Sequence, residues 1–168
     1  MSIEYLSMQA RAGANALQIF DSWVGAVNST EYEQAIFPHM KRIISTVKSR
    51  FPNLPLAMNG VGTDHLVSTW AKLPLDVIAL DWRSSLGAAK DRGVTQTVQG
   101  NLDPAYLYGD TKTIAKVVDE ILMDGVRHGK HVFNLGHGVF PEADPAKLHW
   151  LTDYVHEMSR ELWARESR

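Results

Sequence analysis

Three aspartates stand at or just beyond short apolar runs: Asp21 in QIFDSW, Asp81 in VIALDW and Asp103 in QGNLDP. A carboxylate at a strand end can exchange protons or steady a positive charge that develops during a reaction. The same position suits an aspartate that caps the next helix or fixes a turn. Asp103, followed by Pro104, has the pattern of a cap, whereas Asp21 and Asp81, each followed closely by a tryptophan, fit either use. His137 stands between Gly136 and Gly138 in HVFNLGHGVFP, residues 131–141. Both glycines permit positive φ and let the backbone approach something large and flat; a turn histidine without a ligand is the plainer alternative. Ser22, in FDSW, lacks the Gly-x-Ser-x-Gly frame of a nucleophile elbow and offers a hydrogen-bonding hydroxyl instead.

Other signals are weaker. NGVGT at 59–63 places two glycines before Thr63, but without the third glycine, the lysine or the later acid of nucleotide sites it reads as a turn. Trp23, Trp70 and Trp82 either fill a core or wall an aromatic pocket. The 7 histidines form no His-x-x-x-His or His-Glu-x-x-His pattern and the chain has 0 cysteines, so no metal site and no disulfide is expected.

Holding such residues in one place requires strands that end together. Five apolar or β-rich runs each lead into turn chemistry: 16–20, 56–58, 76–80, 95–99 and 131–135. Helical patterns lie between them. PHMKRIISTVKSRF carries Pro38 at a plausible first helical position, and TDHLVSTWAKL opens on a Thr/Asp cap signal. TKTIAKVVDEILMDGVRHG sets Ile114, Val117, Val118, Ile121 and Leu122 on one face. A last pattern sets Leu148, Leu151, Val155, Met158 and Leu162 on one side of a long amphipathic helix. Strands alternating with helices mean βα units and a parallel sheet, because a parallel connection needs a crossover. The expected class is α/β: a partial TIM-type (β/α) barrel of about five parallel strands, in a single domain over 1–168. In such folds the loops after the strands form the ligand face, where all three aspartates, Ser22 and His137 fall.

Whole-chain properties narrow the classes. With 17 basic and 19 acidic residues among 168, and no long run of like charge, no nucleic-acid or membrane partner is expected. The first 20 residues lack a basic segment leading into an apolar block, and nothing approaches a membrane span. Together with the absence of cysteine, this fits a soluble protein of a reducing cytoplasm.

Taken together, GANALQIFDSW, VIALDW, TQTVQGNLDP and HVFNLGHGVFP resemble, in the same order and at similar spacing, the second half of the uroporphyrinogen decarboxylase family. The likeness runs from about Tyr5 to the final helix. It implies a βα barrel and a lyase of tetrapyrrole (haem) biosynthesis. Such an enzyme converts the acetate arms of uroporphyrinogen to methyls, giving coproporphyrinogen and carbon dioxide without metal or organic cofactor. It further implies that Ser22 and His137 contact the substrate, with the flanking glycines giving room to a broad macrocycle. Asn101, Asp81 and Arg83 share that rim without an implied role; Arg83 is the candidate rim arginine, with few others near the expected strand ends.

The family's early half, with an arginine-bearing motif, a pyrrole-binding aspartate and the first three strands, has no counterpart in this sequence. The expected partners are therefore a tetrapyrrole and either a complementary barrel half or further copies in a homo-oligomer. A non-catalytic half-barrel that binds a tetrapyrrole or a protein is the alternative reading. Corrinoid-dependent methyltransferases share the barrel but usually hold zinc through cysteine, which is absent here.

Overall fold

In the computed structural model, which describes residues 1–166, five strands form one parallel sheet in the order β1-β2-β3-β4-β5. The strands are β1 (Leu17–Asp21), β2 (Leu56–Gly60), β3 (Val77–Ala79), β4 (Thr97–Leu102) and β5 (His131–Leu135), all within the expected runs or a few residues of them. The helices are α1 (Ser2–Arg11), α2 (Ser29–Glu31), α3 (Phe37–Arg50), α4 (Val67–Trp70), α5 (Thr111–His128) and α6 (Pro145–Glu166).

Because side chains alternate across a strand, the register sorts the sheet into two faces. Leu17 pairs with Leu56, Met58 with Ile78 and Ile78 with Val98, and all five pack in one buried cluster with Ile44 and Val47 of α3 and Trp70 of α4. A second cluster joins Leu102 and, less deeply, Phe133 and Leu135 to Ile114, Val118 and Leu122 of α5 and Leu151 and Val155 of α6. Ile121 packs against both clusters, so the core is continuous along the helical side. The two apolar stripes read from the sequence are the faces that α5 and α6 bury.

One helical expectation holds and one needs correction. Pro38 stands in the first turn of α3, as expected; ahead of it Asn28 accepts the Glu31 N–H at 2.9 Å, and a π-helical stretch, Tyr32–Ile36, leads from α2 into α3. Proline lacks an N–H and crowds the preceding turn, which the wider π turn accommodates. The expected helix at 63–73 is only a 3₁₀ turn, Asp64–Leu66, followed by the single turn of α4. Thr63 makes no capping bond; its hydroxyl is buried without a partner. Asp103, by contrast, caps as expected, accepting the Ala105 N–H at 2.9 Å.

One half-buried histidine makes the last strand pH-sensitive. His131 donates from Nε2 to the Gly100 carbonyl at 2.6 Å, and its ring fills the space where a Cβ on Gly125 would stand. Burial holds its pKa below the ordinary value of 6.5; the Gly100 bond opposes this and His128 adds to it. The unfolded chain therefore binds the proton more readily. Stability is full above about pH 6.5 and declines as the pH falls from there toward the lower folded value. Thermal melts between pH 7.5 and 5 should show this slope, and His131→Gln should flatten it; equal slopes in the two proteins would refute the assignment.

Among the described residues no helix is long and apolar enough to cross a membrane. Both outer strands present open edges.

Candidate functional site

On the face opposite the helices, polar amides occupy much of the surface. Gln18 pairs with Ala57; Phe20, Asn59, Ala79, Gln99 and Val132 follow one another across the sheet; Asn101 pairs with Asn134. Barrel interiors are ordinarily packed with branched aliphatics. Here Gln18, Asn59, Gln99 and Asn134 bring four carboxamides to that face, with Phe20 71% exposed and Val132 47% exposed beside them. Such a surface suits a partly apolar ligand that carries hydrogen-bonding groups.

The carboxyl ends of the strands carry the residues singled out by type. Asp81, just beyond β3, is fully buried. Its Oδ2 accepts the Gly62 N–H at 2.6 Å and Arg83 Nη1 at 2.8 Å, and its Oδ1 accepts the Arg83 N–H at 3.1 Å. The NGVGT segment is thus a turn, with Gly62 at φ +68°, tied down by this carboxylate. Asn101 donates to the carbonyls of Asp81 at 2.9 Å and Ser84 at 2.6 Å, fixing the loop after β3 onto β4. The Arg83 guanidinium lies 4.0 Å over the Trp82 ring, and the same indole meets His137 edge-on, centroids 6.2 Å apart at 86°.

His137 is exposed at this rim, as is Ser22 just past β1. The sheet brings both to one end but not into contact, since β2, β3 and β4 lie between their strands. The three tryptophans divide: Trp70 is core, bonded to Tyr32, Trp23 is 87% exposed, and Trp82 belongs to the rim.

The rim glycines behave differently from expectation. Neither Gly136 nor Gly138 takes a positive φ. Gly136 is required for close approach, because a Cβ there would lie 2.6 Å from the Trp82 backbone nitrogen; at Gly138 it would meet open space.

The three aspartates do not converge on the mouth. Asp81 is consumed by its own loop and Asp103 by its cap. Asp21 shares the parity of Leu17 and Ile19 and turns toward the helical layer, in a groove with Tyr5, Leu6 and Met40. Burial raises its carboxyl above the ordinary value, and its charge helps burial hold the Tyr32 phenol up at about 12. Among the described residues no group of three His, Cys, Asp or Glu side chains is placed to hold a metal ion. The stack of Arg83 on Trp82 was missed by sequence reasoning; the only signal was the adjacency of Trp and Arg after a buried aspartate in LDWR.

The edges carry apolar grooves. One, about 320 Å³, lies along β1 between Tyr5, Phe20 and Met40; the other, about 520 Å³, lies along β5 between Val132, Leu148 and Val155.

Comparison with known proteins places these features in context. Residues 1–158 match the model of the uroporphyrinogen decarboxylase family. The chain is 48% identical over 156 residues to uroporphyrinogen decarboxylase of Staphylococcus aureus (strain JH9), covering 93% of this chain and 45% of that protein. It is 46% identical over 160 residues to the Staphylococcus carnosus (strain TM300) protein of the same name, covering 95% and 46%. A methyltransferase from Methanosarcina mazei has the same fold over 96% of this chain and 46% of its own, with TM-score 0.76 at 17% identity. The chain therefore spans about half the length of the relatives it matches.

Proposed function

We propose, since this chain belongs to the uroporphyrinogen decarboxylase family, that it is the part of such a cytoplasmic lyase that lays an amide-lined wall and one rim of the cleft against the tetrapyrrole. A complementary barrel half completes the site. The observation that carries this reading is positional. β1 and β5 stand four places apart in the sheet, and in an eight-stranded barrel strands four apart face each other across the mouth. Ser22 and His137 then address a ring-shaped ligand from opposite sides, which suits a macrocycle better than a small metabolite.

The chemistry divides between the halves. Loss of carbon dioxide from an acetate arm is eased when the adjoining pyrrole is protonated, and the positive charge needs a carboxylate set against it. None of Asp21, Asp81 or Asp103 is free to face the mouth, so that carboxylate comes from the complementary half. What this chain supplies is the seat: hydrogen bonds from Ser22 and His137 and amides along the inner wall. No metal or organic cofactor enters the scheme. The open edges and their grooves are where three further βα units seat, pairing backbone groups that β1 and β5 otherwise leave unpaired.

The test is reconstitution. The chain is incubated with uroporphyrinogen alone and with a three-strand N-terminal segment of a family member, and the oxidised porphyrins are separated by chromatography. Product is expected only in the mixture, with uroporphyrin binding but no turnover by the chain alone. If the mixture, shown to associate, yields no coproporphyrin, the catalytic reading is wrong.

A further inference from the structure

We propose that Arg83, braced between Asp81 and Trp82, is a carboxylate-binding subsite of this rim. That the carboxylate belongs to a tetrapyrrole rests on the function proposed above; the anion site itself rests on local geometry. Asp81 is fully buried and already accepts two backbone N–H groups besides Arg83 Nη1. Its charge is therefore spread over several donors. An arginine serving only to neutralise a buried carboxylate has no reason to remain in water, yet the Arg83 side chain is 51% exposed.

The rest of the guanidinium is held but unused. One edge is fixed through Nη1 to Asp81, and one face lies 4.0 Å over the indole of Trp82, which limits its rotation. No other hydrogen bond ties Nε or Nη2 to a described residue. A planar fork fixed on one edge and one face, with N–H groups left toward water, is preorganised for a carboxylate. Stacking matters because lysine could supply the charge but neither the fork nor the flat face.

His137 is a second polar group held on the same indole, its ring edge-on to Trp82. Two loops, after β3 and after β5, thus contribute to one cluster, and the Asn101 amide between them anchors the first.

The experiment measures affinity of the full chain for two probes: uroporphyrin, an octacarboxylate macrocycle, and mellitate, a compact benzene hexacarboxylate. Arg83→Met should weaken both by about tenfold or more, as expected for a lost charge-assisted pair. Arg83→Lys keeps a cation against Asp81 and so protects the fold; it should weaken both by a smaller but measurable factor. Circular dichroism checks that each variant is folded. Unchanged uroporphyrin affinity in a folded Arg83→Lys and Arg83→Met pair would overturn the subsite and leave the tetrapyrrole reading standing. Mellitate binding that depends on Arg83, without uroporphyrin binding, supports the subsite while removing its proposed ligand. Binding of neither probe by the unaltered chain overturns both.

Discussion

Trp70→Ala is expected to destabilise the chain by about 3–5 kcal/mol, the range for truncating a fully buried large aromatic. The residue is 0% exposed, and its ring does more than fill volume. Its Nε1 donates at 2.9 Å to the hydroxyl of Tyr32, which is itself 0% exposed. Removing the indole leaves that phenol buried without its donor, adding a desolvation cost to the cavity. The tip of the ring occupies the space beside Gly60, where a Cβ would lie 2.7 Å from Trp70 Cη2. One side chain thus joins α4, the π-helical lead-in to α3 and the end of β2. Since domains are typically stable by only 5–15 kcal/mol, the loss amounts to roughly a fifth of the total or more. A fall in melting temperature of roughly 6–20 °C should accompany it. Trp70→Phe, which retains most of the apolar volume, should cost markedly less. A urea titration in which Trp70→Ala shifts stability by under about 1 kcal/mol would show that the packing described around β2 is wrong.

That dependence on one tryptophan also shows what a sequence can and cannot disclose. The strands were visible because each is a short apolar run cut off by turn residues, and α5 and α6 because their apolar residues keep helical spacing over many turns. The segment after β2 was misjudged because TDHLVSTWAKL carries a cap-like opening and good periodicity while its residues are spent on tertiary contacts. Leu66, Val67 and Trp70 all plunge into the core, and the helix stops after one turn. The site was legible only in part, for a comparable reason. Position relative to a strand end shows that a residue reaches the rim, but not which way its side chain turns. Asp21, Asp81 and Asp103 look equivalent in sequence, yet one faces the helices, one is locked inside its loop and one caps a turn. The sharing of Trp82 between Arg83 and His137 depends on two loops more than fifty positions apart meeting over β4, which no local pattern encodes.

The two glycines around His137 offer the sharpest test of that meeting, because they are alike in sequence and unlike in space. Gly136 donates its N–H to the Leu102 carbonyl at 2.7 Å, and a Cβ there would lie 2.6 Å from the Trp82 nitrogen and 3.2 Å from the Asp81 carbonyl carbon. Those are backbone atoms, and Asn101 and Gly62 hold the loop that carries them, so neither side can yield cheaply. Gly136→Ala must push the β5 loop away from the β3 loop, at about 1–3 kcal/mol by analogy with overpacked cores. It should also separate His137 from Trp82. Gly138 has no atom within 4 Å of the corresponding position and an unexceptional φ, so Gly138→Ala should stay within about 0.5 kcal/mol of the parent. The functional contrast should be larger than the stability contrast. A hydrogen bond to a charged ligand group that His137 can no longer make costs about 1.5–3 kcal/mol, a factor of about ten or more in affinity. Uroporphyrin affinity of the chain should therefore drop at least tenfold in Gly136→Ala and stay near the parent value in Gly138→Ala. Equal affinities in the two variants, both folded, would mean that the close approach of the two loops does not set the position of His137, and that its place at the rim has no bearing on the ligand.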